Sequence, residues 1–147
     1  MILPKGGIPL ATPIFQLTGI VIPGKHLGSR LGFPTANIAY DAVAHPLPQD
    51  GVYIARVEIH GQDRSGSYLA ILNQGRHPTV PEGQPMVEAH LLDYTGDPLY
   101  GKTLAISYLH YLRPEIAFPS LEALQEQLHQ DLSQARAWAA QPPKEQP

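Results

Sequence analysis

The sequence predicts a mainly β chain, a small antiparallel barrel with one helix packed against it. Three observations carry that prediction. Sixteen prolines and thirteen glycines, spread through 147 residues, cut the chain into short pieces. Most of those pieces are rich in β-branched and aromatic residues, and several alternate polar with apolar. One long segment near the C-terminus has helical periodicity instead. Short strands followed by a single helix suit a barrel whose flank the helix covers.

Taken in order, "IFQLTGIVIP" (14–23) is a β-branched strand, and "RLGFPTANI" (30–38) reads as a glycine-rich turn running into a strand. "GVYIARVEIHG" (51–61) alternates: Val52, Ile54 and the Arg56 stem share one face, and Tyr53, Ala55, Val57 and Ile59 share the other. "SYLAILN" (67–73), "MVEAHLLDY" (86–94) and "TLAISYLHYL" (103–112) complete the strands. "HGQDRSG" (60–66) has the composition of a hairpin tip, and "YTGDPLYG" (94–101) that of a turn. In "SLEALQEQLHQDLSQARAWA" (120–139), Leu121, Leu124, Leu128, Leu132, Ala135 and Ala139 recur at steps of three and four. Ser120 is placed to cap that helix, Glu122 and Glu126 sit near its positive end, and Trp138 covers its far end.

Composition bounds the function. With 43% hydrophobic and 16% charged residues the chain is globular, and its length suits one domain over 1–147: a core of about 14–140, with tails at 1–13 and 141–147. A formal charge of -3 and ten unclustered Lys and Arg argue against a nucleic-acid partner. Without cysteine there is neither a disulfide nor a thiolate metal site. No run of 18 apolar residues is present and the start is too short for a signal peptide, so neither a membrane partner nor export is expected and the default location is cytoplasmic.

The candidate chemistry concentrates between residues 19 and 38. "GIVIPGKH" nearly spells a nucleotide-binding loop, but His26 stands where a hydroxyl is needed and Ile-Val-Ile-Pro wants a strand. "HLGS" (26–29) lacks the final imidazole of a nucleotidyltransferase signature. What remains is Gly24, Gly28 and Gly32, which let a backbone turn N–H groups towards an anion, with Lys25 and Arg30 adding charge. Pro34 fixes the backbone before Thr35, and Thr35 and Asn37 supply neutral oxygens of the kind Mg²⁺ accepts beside phosphates. The residues alone leave two readings open, a turn leading into a strand or a phosphate and metal loop. The seven histidines form no HxH or HxxxH pair and read as scattered surface residues. Asp93 and Asp97 read as solvated turn carboxylates. Glu88 lies in an apolar strand on the face of Met86, His90 and Leu92; half-buried there it would suit proton abstraction, but the pattern alone favours an edge or surface position. Arg113 in "YLRPE" (111–115) either clamps a ligand or pairs with Glu115.

Five segments, in order, resemble the riboflavin kinase (flavokinase) family. They are "GIVIPGKHLGSRLGFPTANI" with its PTAN signature, "GVYIARV", "ILNQGRHPTV" (71–80), "VEAHLLDY" (87–94), and 99–136 with "LYG", "LRPE" and "SLEAL". The resemblance spans about residues 14–140. It implies a six-stranded antiparallel Greek-key β-barrel with a C-terminal α-helix. It implies transfer of the ATP γ-phosphate to the riboflavin 5′-hydroxyl, giving FMN and ADP, with Mg²⁺ accompanying ATP. By position, Thr35 and Asn37 would hold the metal. Gly24, Lys25, Gly28, Arg30, Gly32, Pro34 and Thr35 would wrap the nucleotide phosphates, and Tyr100 would lie towards the adenine. Glu88 would take the hydroxyl proton. Arg113, Glu115 and Leu121 would close over the flavin. Riboflavin and ATP are the implied partners, and the chain is expected to act as a monomer. The alternative is a catalytically silent flavin- or nucleotide-binding module, a sensor or partner subunit. No adenylyltransferase signature is found, so the reaction is expected to stop at FMN. Gln74 stands where the family usually has an apolar residue and Val80 where an aromatic is common, and "VPEGQPMVE" (80–88) makes a short, proline-bounded approach to Glu88.

Overall fold

The computed structural model describes residues 12–22, 35–39, 48–61, 67–76, 85–95 and 99–140. Six strands are present: β1 (Phe15–Ile22), β2 (Thr35–Ala39), β3 (Gly51–Ile59), β4 (Ser67–Arg76), β5 (Pro85–Leu91) and β6 (Thr103–Arg113). One helix follows, α1 (Leu121–Ala140). The strands close into a barrel in the order β1-β2-β5-β4-β3-β6, every pair antiparallel. Strands β3, β4 and β5 follow one another and β6 returns beside β3, which is the Greek-key arrangement. The strand segments read from the sequence match within about three residues at each end, as expected where period-2 alternation is clear.

That alternation decides which side chains fill the barrel. Tyr53, Ala55, Val57 and Ile59 of β3 point inward, with Leu17 and Val21 of β1, Ala36 and Ile38 of β2, Ala70 and Leu72 of β4, Val87, Ala89 and Leu91 of β5, and Leu104, Ile106 and Tyr108 of β6. Each large residue among them contributes about 1.5–3 kcal/mol by leaving water. The Tyr108 ring meets Phe15 and Tyr53 edge-on, with centroids 5.3 and 5.0 Å away. At Gly19 β1 passes so close to β2 that a Cβ would overlap the Ala39 carbonyl and Ile38.

Gln74 follows Ala70 and Leu72 in the inward series of β4, and it is 0% exposed. Its carbonyl accepts from the Tyr108 hydroxyl at 2.8 Å, and its amide donates to the Pro48 carbonyl at 2.6 Å and the Gln49 carbonyl at 3.3 Å. The Tyr53 hydroxyl also donates to the Gln49 carbonyl. An amide thus replaces an apolar residue without an unmet hydrogen bond, because the segment entering β3 supplies acceptors. The network stoppers that end of the barrel.

The outer faces of β3, β4 and the turn after β5 hold a second cluster, Val52, Ile54, Ile71 and Leu92, covered by Ala135 of α1, with Leu132 and Trp138 packed against it. Trp138 stacks on His110 at 5.5 Å. Ser120 caps the helix, its hydroxyl accepting from the Ala123 N–H at 3.1 Å. The helix does not bury its apolar stripe from the first turn: Leu121 is 49% exposed, and the buried positions are Leu128, Asp131 and Ala135. A carboxylate therefore occupies a buried helix position that periodicity alone would have made apolar.

Candidate active site

The sheet registers define a polar row on the barrel's outer wall. Asn37 of β2 stands opposite Glu88 of β5, and Glu88 stands opposite Asn73 of β4. The row continues through Val52 of β3 to Arg113 of β6. Directly opposed residues share a face, so all five look outward, away from the filled lumen. Asn37 is 5% exposed, the Glu88 side chain is 31% exposed, and Asn73 is exposed. The carboxylate is thus half-buried and flanked on both neighbouring strands by amides. Asn37 and Glu88, which the resemblance puts in one site, are neighbours on adjacent strands of one wall.

Two residues along and on the same face, Thr35 is in register with His90, and His90 with Ile71. His90 is only 5% exposed, and its Nε2 lies 3.2 Å from Glu88 Oε1. This corrects the surface reading for His90 alone; His60, His110 and His129 are exposed. The signal was present in the sequence: His90 follows Glu88 by two on the same strand face. Asn73, in "ILNQGRHPTV", is a further neighbour of Glu88 that the sequence reading did not single out.

Arg113 does not pair with Glu115. Its Nε and Nη2 donate to Asp131 Oδ1 and Oδ2 at 3.0 and 2.7 Å, and Nη1 donates to the Pro114 carbonyl at 3.1 Å. Gln127 donates to Asp131 Oδ1 at 3.0 Å, and Phe118 lies under the guanidinium at 5.9 Å. The pair is bidentate, with Asp131 at 0% exposed and the Arg113 side chain at 16%, so it ties the β6–α1 connection to the helix. The Glu115 carboxyl lies over Gly75 of β4, where a Cβ would overlap it. Burial pushes the Glu115 carboxyl above its ordinary pKa, Asp50 adds to the rise, and Arg113 opposes it. Asp93, expected to be merely solvated, accepts twice from Arg136, at 2.9 and 3.1 Å, and this holds its pKa below the usual range.

Tyr100 is exposed in the turn before β6. That turn is pinned to β1, because Gly101 N–H donates to the Val21 carbonyl and Val21 N–H to the Lys102 carbonyl, each at 2.9 Å. Val21 precedes Ile22, which stands opposite Asn37, so Tyr100 belongs to the β1–β2 side of the row. Leu121 is exposed at the start of α1, beyond Arg113. Gly24, Lys25, Gly28, Arg30, Gly32, Pro34, Val80 and Asp97 lie outside the described residues, as do 62–66 of the hairpin tip and 1–11 and 141–147 of the tails, and Thr35 enters through its backbone alone.

The donor set bears on a metal. Among the described residues no three His, Asp or Glu gather into a metal cluster. The outer wall instead offers the Asn37 amide oxygen in register with one carboxylate, Glu88. Such oxygen donors suit Mg²⁺ that arrives with a nucleotide and keeps phosphate and water ligands, and they do not suit a resident caged ion. No helix of the described residues is long and apolar enough to cross a membrane.

The described residues thus form a Greek-key barrel with an amide–carboxylate–amide row on its outer wall, Asn37, Glu88 and Asn73. The comparisons identify the family. The family model for riboflavin kinase matches residues 12–139, and the chain belongs to the riboflavin kinase (flavokinase) family. It is 41% identical over 127 residues to the bifunctional riboflavin kinase/FMN adenylyltransferase of Pseudomonas fluorescens, covering 86% of this chain and 39% of that protein. The enzyme of the same name from Haemophilus influenzae is 34% identical over 125 residues, with 84% and 38% covered. The RNA-binding riboflavin kinase RibR of Bacillus subtilis is 38% identical over 118 residues, with 80% and 48% covered. The chain therefore spans less than half the length of these relatives. Among solved structures, the riboflavin kinase of Trypanosoma brucei superposes with a TM-score of 0.61 at 28% identity, over 86% of this chain and 80% of that one.

Proposed function

We propose that this chain transfers the γ-phosphoryl group of ATP to the 5′-hydroxyl of riboflavin, giving FMN and ADP. The observation that carries the reading is the Asn37–Glu88–Asn73 row within a barrel of this family. Glu88 accepts the proton of the attacking hydroxyl as its oxygen bonds to the γ-phosphorus, and the bond from that phosphorus to the β-phosphate oxygen breaks. Phosphoryl transfer asks for placement and charge neutralisation more than covalent chemistry, and one carboxylate orienting the nucleophile suffices.

Arg113, Glu115 and Leu121 contact the flavin in this reading, Arg113 as a guanidinium already fixed by Asp131. Gly24, Lys25, Gly28, Arg30, Gly32 and Pro34 wrap the phosphates, and Tyr100 lies towards the adenine. Thr35 and Asn37 hold Mg²⁺, which when bound neutralises phosphate charge. The working unit in this reading is a monomer, acting in the cytoplasm where ATP is available.

The test is direct. The purified chain is incubated with riboflavin, ATP and Mg²⁺, and FMN is sought by chromatography. Glu88→Gln is expected to keep riboflavin binding and lose turnover by about 10² to 10⁴. A chain that binds both substrates and forms no FMN would instead be a silent module, and full turnover in the Glu88→Gln variant would remove Glu88 from the chemistry.

A further inference from the structure

The carboxylate of a glutamate turns broadly about its last torsion, so a glutamate that must receive a proton from one direction needs something to fix that torsion. The structure supplies it in His90. Glu88 and His90 are two apart on β5 and point to the same outer face, with Nε2 3.2 Å from Oε1. An ionised carboxylate only accepts, so Nε2 is the donor in this arrangement. The imidazole itself is held. It is 5% exposed, and its register partner on β4 is Ile71, 1% exposed and part of the apolar cluster beneath α1, as is Leu92 two residues on. His90 thus stands at the border between that rigid cluster and the polar row, with its ring packed and one nitrogen at the carboxylate.

We propose that His90 is a positioning residue: it holds Glu88 Oε1, so that Oε2 faces the incoming hydroxyl. This inference rests on the reading of Glu88 as the proton acceptor. It acts through the orientation of a group already on the wall, and it predicts a loss in turnover without a loss in substrate binding.

The experiment compares His90→Leu, His90→Gln and His90→Asn with Glu88→Gln and the double variant His90→Leu/Glu88→Gln, reading kcat, KM for both substrates and Tm. In His90→Leu, kcat falls about 10- to 10²-fold, the scale of a small misplacement of a reacting group, with both KM values within about twofold of wild type. Gln carries an amide nitrogen at nearly the reach of Nε2 and restores much of the rate; Asn, one methylene shorter, does not. The double variant is no slower than Glu88→Gln alone. A His90→Leu variant that is folded and turns over like wild type overturns the proposal. So does Gln matching Leu, or a further loss on top of Glu88→Gln. If His90→Leu fails to fold, the two amide variants decide: equal rates overturn the proposal and Gln faster than Asn upholds it. Turnover retained in Glu88→Gln refutes the underlying reading, whereas an inactive Glu88→Gln beside an active His90→Leu refutes this inference alone.

Discussion

Replacing either partner of the Arg113–Asp131 pair should destabilise the protein, and the two replacements should not cost the same. Asp131 is 0% exposed and the Arg113 side chain 16%. Arg113→Ala strands a carboxylate with Gln127 as its remaining partner among the described hydrogen bonds. Breaking a buried pair in this way costs about 3–5 kcal/mol. Asp131→Ala removes two charge-assisted hydrogen bonds, but Arg113 keeps the Pro114 carbonyl and the Phe118 ring and has some access to water. A cost of about 2–3 kcal/mol follows. The ordering is therefore Arg113→Ala below Asp131→Ala below wild type. For a chain of this size the larger loss lowers Tm by roughly 8–16 °C. Urea unfolding of both variants and of Arg113→Met/Asp131→Leu gives the coupling, and the double variant should be more stable than Arg113→Ala because no buried charge is left unpaired. Two single variants each within about 1 kcal/mol of wild type, as for an exposed ion pair, would refute the argument. So would Asp131→Ala being the worse of the two. Riboflavin KM, read on the same proteins, should rise in Asp131→Ala, since the guanidinium loses its fixed position.

Four further outcomes follow from the structure. Gln74→Ala leaves the buried Tyr108 hydroxyl and the Pro48 carbonyl without their amide, and should cost about 2–4 kcal/mol in urea unfolding, with Tyr108→Phe/Gln74→Leu less harmful than that single change. Gly75→Ala should leave stability within about 1 kcal/mol of wild type, because Glu115 is on the surface and moves aside, yet raise riboflavin KM if that carboxylate touches the flavin. Asp93 has a lowered folded pKa, so its contribution is present above its unfolded pKa and lost as pH falls through the folded one; both partners are exposed, which limits it to about 0.2–1 kcal/mol, and Asp93→Asn should flatten the acid limb of a Tm-against-pH curve by that amount. Glu115 has a raised folded pKa, so its sign is opposite: its contribution is present below the unfolded pKa and lost as pH rises through the folded one, and Glu115→Gln should gain on wild type across that rise.

Much of the fold was legible because it rests on local period. Alternation along β3 separated Tyr53, Ala55, Val57 and Ile59 from Val52 and Ile54, and the structure puts the first set in the lumen and the second under α1. Ser120 was legible as a cap because capping is a matter of three residues. The site was legible in part. Glu88 stood out as a charge in an apolar strand, but its neighbours Asn37 and Asn73 come from strands 51 and 15 residues away in sequence, and only the registers bring them together. The Arg113–Asp131 pair was hidden for the same reason. A helix pattern shows that position 131 faces inward; it does not show that a guanidinium waits there. Gln74 looked like a departure from its family, and became intelligible once Tyr108 and residues 48–50 were seen around it.

Because the ring of strands closes, with β6 returning to β1, each strand is bonded to a neighbour on both sides and the sheet offers no raw border. Edges are where sheets recruit foreign peptides or stick to copies of themselves, and among the described residues no strand of this sheet is an edge strand. The described sheet therefore offers no whole strand border for another chain to extend, and a partner would meet chiefly the side chains of the helix, the turns and the wall.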